Sequence, residues 1–306
     1  MSGTDSNPSR LSTGDPASGT PSPPVEGPVA VVGLGLMGGS LVRALHALPA
    51  APEVLGVDAD PVAGARALES GMIRRFDPDG TALIGEARTV VYAVPLGALP
   101  PLLVSHRALF HPDALITDVL SLKGPVHRLI GEAGLAQRFV GAHPMAGGEG
   151  RGFGDSRDHL FQGARIWLTG EGEVGPGFRS RGMAFWATLG GEVEWIDAEE
   201  HDRRMAWVSH LPQLVANALA GALDAAGVHP ADLGPGGRDM TRLAGSSPEM
   251  WKDLLPHSAT ITGTGLTSVS RALNVVADLL ARREVDRIAE FMERTRAWSA
   301  RGEGDE

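Results

Sequence analysis

The chain has 306 residues, enough for two domains of roughly 150 residues each. Its 42% hydrophobic and 21% charged residues exclude a wholly disordered chain, a coiled coil and a fibrous repeat. The lack of cysteine excludes disulfides, thiolate nucleophiles and cysteine-ligated metals. A net charge of -10 argues against nucleic acid as a partner. No apolar run approaches the roughly 18 residues of a membrane helix, so we expect a cytoplasmic protein without a membrane partner.

Residues 1–27 are rich in Ser, Pro, Gly, Thr and Asp and have almost no large apolar side chains. Such a segment cannot bury enough apolar surface to offset the entropy lost on ordering, so we predict a disordered tail. It lacks the basic region and apolar stretch of a secretory signal. A transit or docking role is the alternative.

Short apolar runs alternate with helical periods from residue 28 onward. The runs that we predict as strands are Val29–Val32, Val54–Val57, Thr89–Val94, Ala114–Thr117, Phe139–Ala142 and Arg165–Thr169. This alternation is typical of an α/β protein with a doubly wound parallel sheet, whose last strand here is the sixth run. Beyond residue 172 only helical spacing remains, including predicted helices over 258–283 and 285–299. We therefore predict an α/β domain, residues 28–171, and an all-α domain, residues 172–306.

A G-x-G-x-x-G pattern links the first predicted strand to a helical segment. In a Rossmann domain, the first glycine allows a tight turn, the second lets the backbone approach a pyrophosphate, and the third lets the helix pack against the strand. An acidic residue ends the next strand, where a carboxylate binds ribose hydroxyls and repels a 2′-phosphate. The pattern favours NAD over NADP, and the alternative is a glycine turn without a ligand. The expected cofactor contacts are Gly33, Gly35, Leu36, Met37, Gly38, Asp58, Val94 and Pro95.

Two polar segments follow consecutive predicted strands at the sheet edge where ligands bind in this fold. One contains Ser121 and Lys123, and the other begins with His143. Histidine suits proton transfer near neutral pH, and a nearby hydroxyl can orient it or a substrate. The alternatives are a packed structural histidine and a serine that caps a helix. The role of Lys123 stays open.

The all-α half carries a polar stripe and one arginine of interest. We predict a helix over 201–223, and an internal proline kinks it. A stripe of side chains on this helix faces either the ligand-binding cleft or solvent. Arg242 ends a short predicted helix over 238–244, and its planar fork suits a carboxylate. A surface arginine is the alternative. The stripe contains Asp202, Ala206, Ser209 and Gln213, with His210 to one side.

Five segments together resemble the prephenate/arogenate dehydrogenase family over residues 28 to about 300. They are VAVVGLGLMGGSL, DVLSLKG, VGAHPMAGGEGRGF, HDRRMAWVSHLPQ and TRLAGSSPEMWKDLL. The resemblance implies oxidative decarboxylation of prephenate to 4-hydroxyphenylpyruvate with NAD, in tyrosine biosynthesis, or of arogenate to tyrosine. It also implies an N-terminal Rossmann domain and a C-terminal all-α domain that forms a homodimer.

The resemblance assigns roles to individual residues. It makes His143 the base or hydrogen-bond acceptor, Ser121 its positioning hydroxyl, and Arg242 a ligand of a substrate carboxylate. Many relatives have a histidine where this sequence has Gln213, which puts the side-chain preference and tyrosine feedback in doubt. Trp251 lines the site or belongs to the core or the interface. The resemblance also implies that Glu149 and Asp202 form an ionic gate with Arg242. The implied substrate-binding set is Arg242, Gln213, His210, Glu149, Asp202 and Trp251.

The sequence leaves three alternative functions open. They are an arogenate-specific enzyme, a β-hydroxyacid or imine dehydrogenase, and a non-catalytic NAD sensor. Hydroxyacid and imine dehydrogenases place a catalytic lysine or another residue on the first long helix of the second domain, and this sequence has no lysine there. The residues suggest no metal site.

Overall fold

The computed structural model describes residues 25–148 and 150–302, and a single sheet organises the first two thirds of this part. The strands are Val29–Val32 (β1), Val54–Val57 (β2), Arg75–Asp77 (β3), Thr89–Tyr92 (β4), Leu115–Asp118 (β5), Phe139–Pro144 (β6), Arg165–Thr169 (β7) and Glu192–Trp195 (β8). Neighbouring strands in the sheet follow the order β3-β2-β1-β4-β5-β6-β7-β8, and all pairs are parallel except the antiparallel pair of β6 and β7. This order confirms the doubly wound architecture.

Helices cover both faces of the sheet because its central strands are apolar on both sides. The five helices are Leu36–His46 (α1), Pro61–Glu69 (α2), Leu99–His106 (α3), Gly124–Glu132 (α4) and Pro176–Thr188 (α5). Val29 and Val31 of β1 face one core, which α1, α2 and α5 complete. Ala30 and Val32 face the other core, which α3 and α4 complete.

The sheet extends further than the sequence predicts. The prediction that Arg165–Thr169 is the last strand is wrong, because β8 pairs with it in parallel at the sheet edge. β8 reads Glu-Val-Glu-Trp, and its glutamates are exposed, so it lacks the continuous apolar character of a central strand. The predicted boundary at residue 171 therefore separates α5 and β8 from the sheet that they complete. We propose a boundary after Trp195 instead.

The rest of the described chain is helical, as predicted. The predicted helix over 285–299 is confirmed, and the one over 258–283 begins ten residues earlier, at Pro248. The predicted helix over 201–223 is interrupted by a π-helix, Ala206–His210, just before its proline. The remaining helices are Ala198–Met205 (α6), Leu211–Ala225 (α7), Pro235–Thr241 (α8), Pro248–Ala281 (α9) and Val285–Ser299 (α10).

The structure tests the predicted tail and the predicted location only in part. Most of the predicted tail, residues 1–24, lies outside the described residues. Within the described ranges, none of the helices is both long and apolar enough to cross a membrane. The cytoplasmic location stays a prediction.

A buried ion pair joins β5 to β6. Lys123 is completely buried, and its Nζ lies 2.5 Å from Oδ2 of Asp118 and 2.6 Å from the carbonyl oxygen of Ala142. Oδ1 of Asp118 accepts the amide N–H of Ala142 at 2.8 Å. The role left open for Lys123 is thus structural, since it fixes the strand that leads into His143.

We expect Lys123→Met to lower the free energy of unfolding by about 3–5 kcal/mol, because it leaves the Asp118 carboxylate buried without its partner. Urea denaturation measures the change. Lys252→Met is the matched control, since Lys252 pairs with Glu249 at the surface, and we expect its denaturation midpoint to equal that of the wild type. A loss below about 1 kcal/mol in Lys123→Met would show that the pair does not fix this edge.

Candidate active site

The loop between β1 and α1 has the geometry of a nucleotide-binding turn. Gly33 has a φ of +95°, which favours glycine, and its amide N–H donates to the carbonyl oxygen of Val57 at 2.7 Å. A Cβ on Gly38 would lie 1.7 Å from the carbonyl oxygen of Gly33, so α1 begins directly against the turn. A Cβ on Gly35 would have no atom within 4 Å. The three glycines thus have the steric environments that the sequence pattern predicts.

Asp58 follows β2 beside this loop. Its Oδ2 accepts the amide N–H of Leu34 at 2.6 Å, and its Oδ1 accepts that of Asp60 at 2.8 Å. Two bonds leave further lone pairs on the carboxylate for ribose hydroxyls. Because β1 pairs with β2 on one side and β4 on the other, the loop lies where the strand order reverses. Dinucleotides bind at this position in doubly wound sheets, with their pyrophosphate at the helix N-terminus.

His143 lies within β6, one residue beyond the predicted end of the strand. Its Nδ1 is 2.9 Å from Nε2 of His201, whose Nδ1 is 2.8 Å from Oδ1 of Asp202. Both partners belong to α6, so a helix from the second half of the chain contacts the carboxyl edge of the sheet. The three side chains form a continuous hydrogen-bonded row.

The carboxylate of Asp202 also caps α4. It accepts the amide N–H of Lys123 on Oδ1 and that of Gly124 on Oδ2, each at 2.8 Å. A negative charge at a helix N-terminus is favourable, since the amide groups there have no partner within the helix. The alternative reading of Ser121 as the helix cap is therefore wrong. Ser121 is partly exposed, and its hydroxyl makes no hydrogen bond to the described residues.

These surroundings shift the protonation equilibria of the row. Burial, together with neighbouring His201, Lys123 and His210, lowers the pKa of His143 well below 6.5. Burial by itself raises the pKa of Asp202, but hydrogen bonds from His201 and from the amides of Lys123 and Gly124 hold it below its usual value. At neutral pH the edge thus presents a neutral imidazole supported by an ionised carboxylate.

Arg242 lines a cavity that opens onto the glycine-rich segment after β6. The cavity has a volume of 780 Å³, and Gly147, Gly148 and a second arginine, Arg151, also line it. Arg242 does not end an α-helix as predicted, because α8 stops at Thr241 and a 3₁₀ turn, Arg242–Gly245, follows. Two guanidinium groups beside one cavity make it suited to a ligand with carboxylates.

Gln213 holds the segment that carries Arg242. Its Nε2 donates to Oδ1 of Asn217 at 2.8 Å and to the carbonyl oxygen of Leu243 at 2.6 Å. Its Oε1 accepts the hydroxyl of Ser246 at 3.1 Å. Both amide hydrogens are therefore used within the protein. Only the oxygen keeps a lone pair for a further hydrogen bond, and the predicted substrate contact of Gln213 stays a prediction.

His210 and Trp251 pack edge to face, with ring centroids 5.6 Å apart. Nδ1 of His210 and Nε1 of Trp251 are buried and have no hydrogen-bond partner among the described residues. Buried polar atoms in proteins are normally paired, so two such atoms on neighbouring rings indicate a place for a polar ligand. Both residues are in the predicted substrate-binding set.

The structure brings together some predicted residues and leaves others apart. The same sheet edge brings together Ser121, His143 and Asp202. In residues 25–148 and 150–302, no ion pair joins Asp202 to Arg242. Glu149 lies outside the described residues, so the predicted ionic gate has one member without a description. Sequence reasoning missed His201, because its contact with His143 joins residues 58 apart and leaves no local pattern.

The comparisons with known proteins agree with this architecture. Residues 41–194 match the family model described as "Prephenate dehydrogenase, nucleotide-binding domain". Residues 197–294 match the one described as "Prephenate dehydrogenase, dimerization domain". The two matches meet next to the end of β8.

Individual relatives extend the similarity over most of the chain. A prephenate dehydrogenase of Bacillus subtilis is 32% identical over 248 residues, covering 75% of this chain but only 64% of the longer relative. A cyclohexadienyl dehydrogenase of Zymomonas mobilis is 28% identical over 238 residues, covering 76% and 80%. The crystal structure of Aquifex aeolicus prephenate dehydrogenase, in complex with hydroxyphenyl propionate and NAD+, matches with a TM-score of 0.82 at 27% identity, covering 90% and 98%. The chain belongs to the prephenate dehydrogenase family of oxidoreductases.

Proposed function

We propose that this chain catalyses the NAD-dependent oxidative decarboxylation of prephenate to 4-hydroxyphenylpyruvate, with arogenate as the alternative substrate. The observation that carries the proposal is a neutral base, His143, at the carboxyl edge of a dinucleotide-binding sheet. The similarity to prephenate and cyclohexadienyl dehydrogenases supports this substrate class. It also favours the proposal over a hydroxyacid or imine dehydrogenase.

The glycine loop and Asp58 fit NAD. The open space at Gly35 leaves room for a pyrophosphate at the N-terminus of α1, and the fixed carboxylate of Asp58 suits ribose hydroxyls. Val94 and Pro95 follow β4 on the other side of the crevice, within reach of the same ligand. When bound, NAD supplies the hydride acceptor for the reaction.

His143 handles the proton of the substrate hydroxyl. As the carbinol carbon is oxidised, the hydroxyl proton passes to the imidazole, with Ser121 as a second hydrogen-bonding group. The bond between the ring and its carboxylate then breaks to release carbon dioxide, and its electron pair makes the ring aromatic. The resulting phenolate oxygen takes the proton back, so the residues end in their starting state.

The substrate carboxylates need cationic partners in a protein of net charge -10. We assign one of them to Arg242, which lines the cavity next to the segment that follows His143. The orphan nitrogens of His210 and Trp251 provide additional polar contacts. Gln213 contributes chiefly by holding the turn that carries the arginine.

We also propose that the chain forms a homodimer through its last helices. Several large apolar side chains on α9 and α10 are exposed, and the matched domain is a dimerization domain. The set includes Leu273, Leu280, Val285, Met292 and Trp298.

The proposed activity is tested by adding prephenate or arogenate to purified protein with NAD and following NADH formation. We expect turnover with at least one substrate, and the ratio of the two kcat/KM values identifies the preferred one. His143→Asn should lower kcat by about 10²–10⁴-fold while NAD binding persists, because only the base is removed. Bound NAD without turnover of either substrate would contradict the proposal.

The pH dependence of kcat/KM follows from the lowered pKa of His143. Protonation removes the acceptor, so activity falls as the pH falls, and a lowered pKa moves that fall to more acidic solution. We expect kcat/KM to stay level from about pH 8 down through 6.5, the ordinary histidine value, and to decline only below it. Rates in buffers of constant ionic strength measure this. A midpoint at or above 6.5 would disagree with the environment described for His143.

Two glycine variants separate folding from NAD binding. Gly35→Ala adds a methyl group in open space, and Gly35 already has a φ of -71°, so we expect an unchanged thermal unfolding midpoint. Its NAD dissociation constant should rise about tenfold or more, because the methyl group occupies the path of the pyrophosphate. Gly38→Ala is the contrasting variant, and the 1.7 Å approach to Gly33 should lower its unfolding midpoint. Equal NAD affinity in Gly35→Ala and the wild type would place the cofactor elsewhere.

A further inference from the structure

His201 connects the proposed base to an ionised carboxylate. It is completely buried, and each of its two ring nitrogens has one hydrogen-bond partner, His143 on one side and Asp202 on the other. It belongs to α6, whereas His143 belongs to β6. Nothing in the proposed reaction uses His201 directly.

We propose that His201 is a positioning residue, oriented by Asp202, that holds the His143 imidazole in the tautomer whose Nε2 accepts the substrate proton. The inference rests on the proposed function and assigns one further residue to the same site.

The hydrogen-bond network determines the tautomers in sequence. An ionised carboxylate only accepts hydrogen bonds, so the proton of His201 is on Nδ1, facing Asp202. A neutral imidazole carries one ring proton, so with that proton on Nδ1 the Nε2 of His201 is an acceptor. Nδ1 of His143 must then donate to it. The single proton of His143 is thereby fixed on Nδ1, and its Nε2 keeps a free lone pair.

The anchor of the row is rigid. The amides of Lys123 and Gly124 fix both oxygens of Asp202 at the start of α4, so the carboxylate cannot turn away from His201. Full burial prevents His201 from rotating into solvent. These contacts specify one orientation of His143, which a base must have before the substrate arrives.

The same row stabilises the protonated base. When Nε2 of His143 takes the substrate proton, its Nδ1–H still donates to His201, and the Nδ1–H of His201 still donates to the carboxylate. No proton moves along the row. The negative charge of Asp202 stabilises the new imidazolium through an oriented imidazole, as the aspartate of a serine-protease triad does directly.

Two substitutions of His201 test the role. His201→Gln keeps an amide oxygen that accepts from His143 at the position of Nε2, whereas His201→Leu removes every hydrogen bond of the side chain. We expect His201→Leu to lower kcat about 100-fold with KM for substrate changed less than about threefold, because orientation of the base affects the reaction step. His201→Gln should recover to within about tenfold of the wild type. Glu199→Gln, at an exposed position of the same helix, is the matched control and should be unchanged.

Two kinetic outcomes would overturn the inference. If His201→Leu retains kcat within about threefold of the wild type, the row does not position the base. If His201→Gln falls as far as His201→Leu, the side chain serves packing alone, since glutamine retains the acceptor for His143.

Nitrogen-15 NMR of the histidine rings of the wild type at pH 8 provides an independent measurement. It decides the tautomer even if the His201→Leu variant does not fold. The His143 signals are those absent from His143→Asn. A proton on Nδ1 of His143 in the wild type supports the inference, and a proton on Nε2 overturns it. This readout needs no substrate, so a wild type that turns over neither prephenate nor arogenate contradicts the proposed function without deciding the tautomer.

Discussion

The buried pair of Lys123 and Asp118 fixes the edge of the sheet on which the site is built. Two opposite charges in the interior are tolerated only when they satisfy each other and their remaining hydrogen bonds. Here the ammonium also donates to the carbonyl oxygen of Ala142, and the carboxylate accepts the amide of the same residue. Both bonds hold the residue directly before His143. The ion pair thus helps to fix the backbone that carries the proposed base.

A second charge connects the two halves of the chain. Asp202 lies outside the sheet domain that we propose, yet its carboxylate replaces the missing side-chain cap of α4. The helix dipole and the unpaired amides favour an anion there, and the carboxylate of α6 provides it. As a consequence, the row through His201 forms only when the helical half is docked. The contact between the two halves therefore also completes the row that orients the proposed base.

The sequence predicts the sheet well wherever strands are buried on both faces. β1, β2 and β4 are continuous apolar runs, and their predicted starts are confirmed. β3 and β8 were missed because edge strands carry charged residues, Arg-Phe-Asp in one and Glu-Val-Glu-Trp in the other. Periodicity cannot separate such strands from loops, since their pairing comes from a neighbour distant in sequence.

The same contrast applies to the candidate site. Local rules predict Asp58 and His143 as candidate site residues, because ligands in this fold lie at the carboxyl ends of the strands. The function of His201 depends on a partner 58 residues earlier, and no local pattern encodes that contact. The π-helix at Ala206–His210 adds to the difficulty, because its wider turn changes the angular spacing between Asp202 and Gln213, which regular α-helical spacing places on one stripe. Sequence periodicity assumes a regular helix, and this helix is irregular between two residues of the predicted stripe.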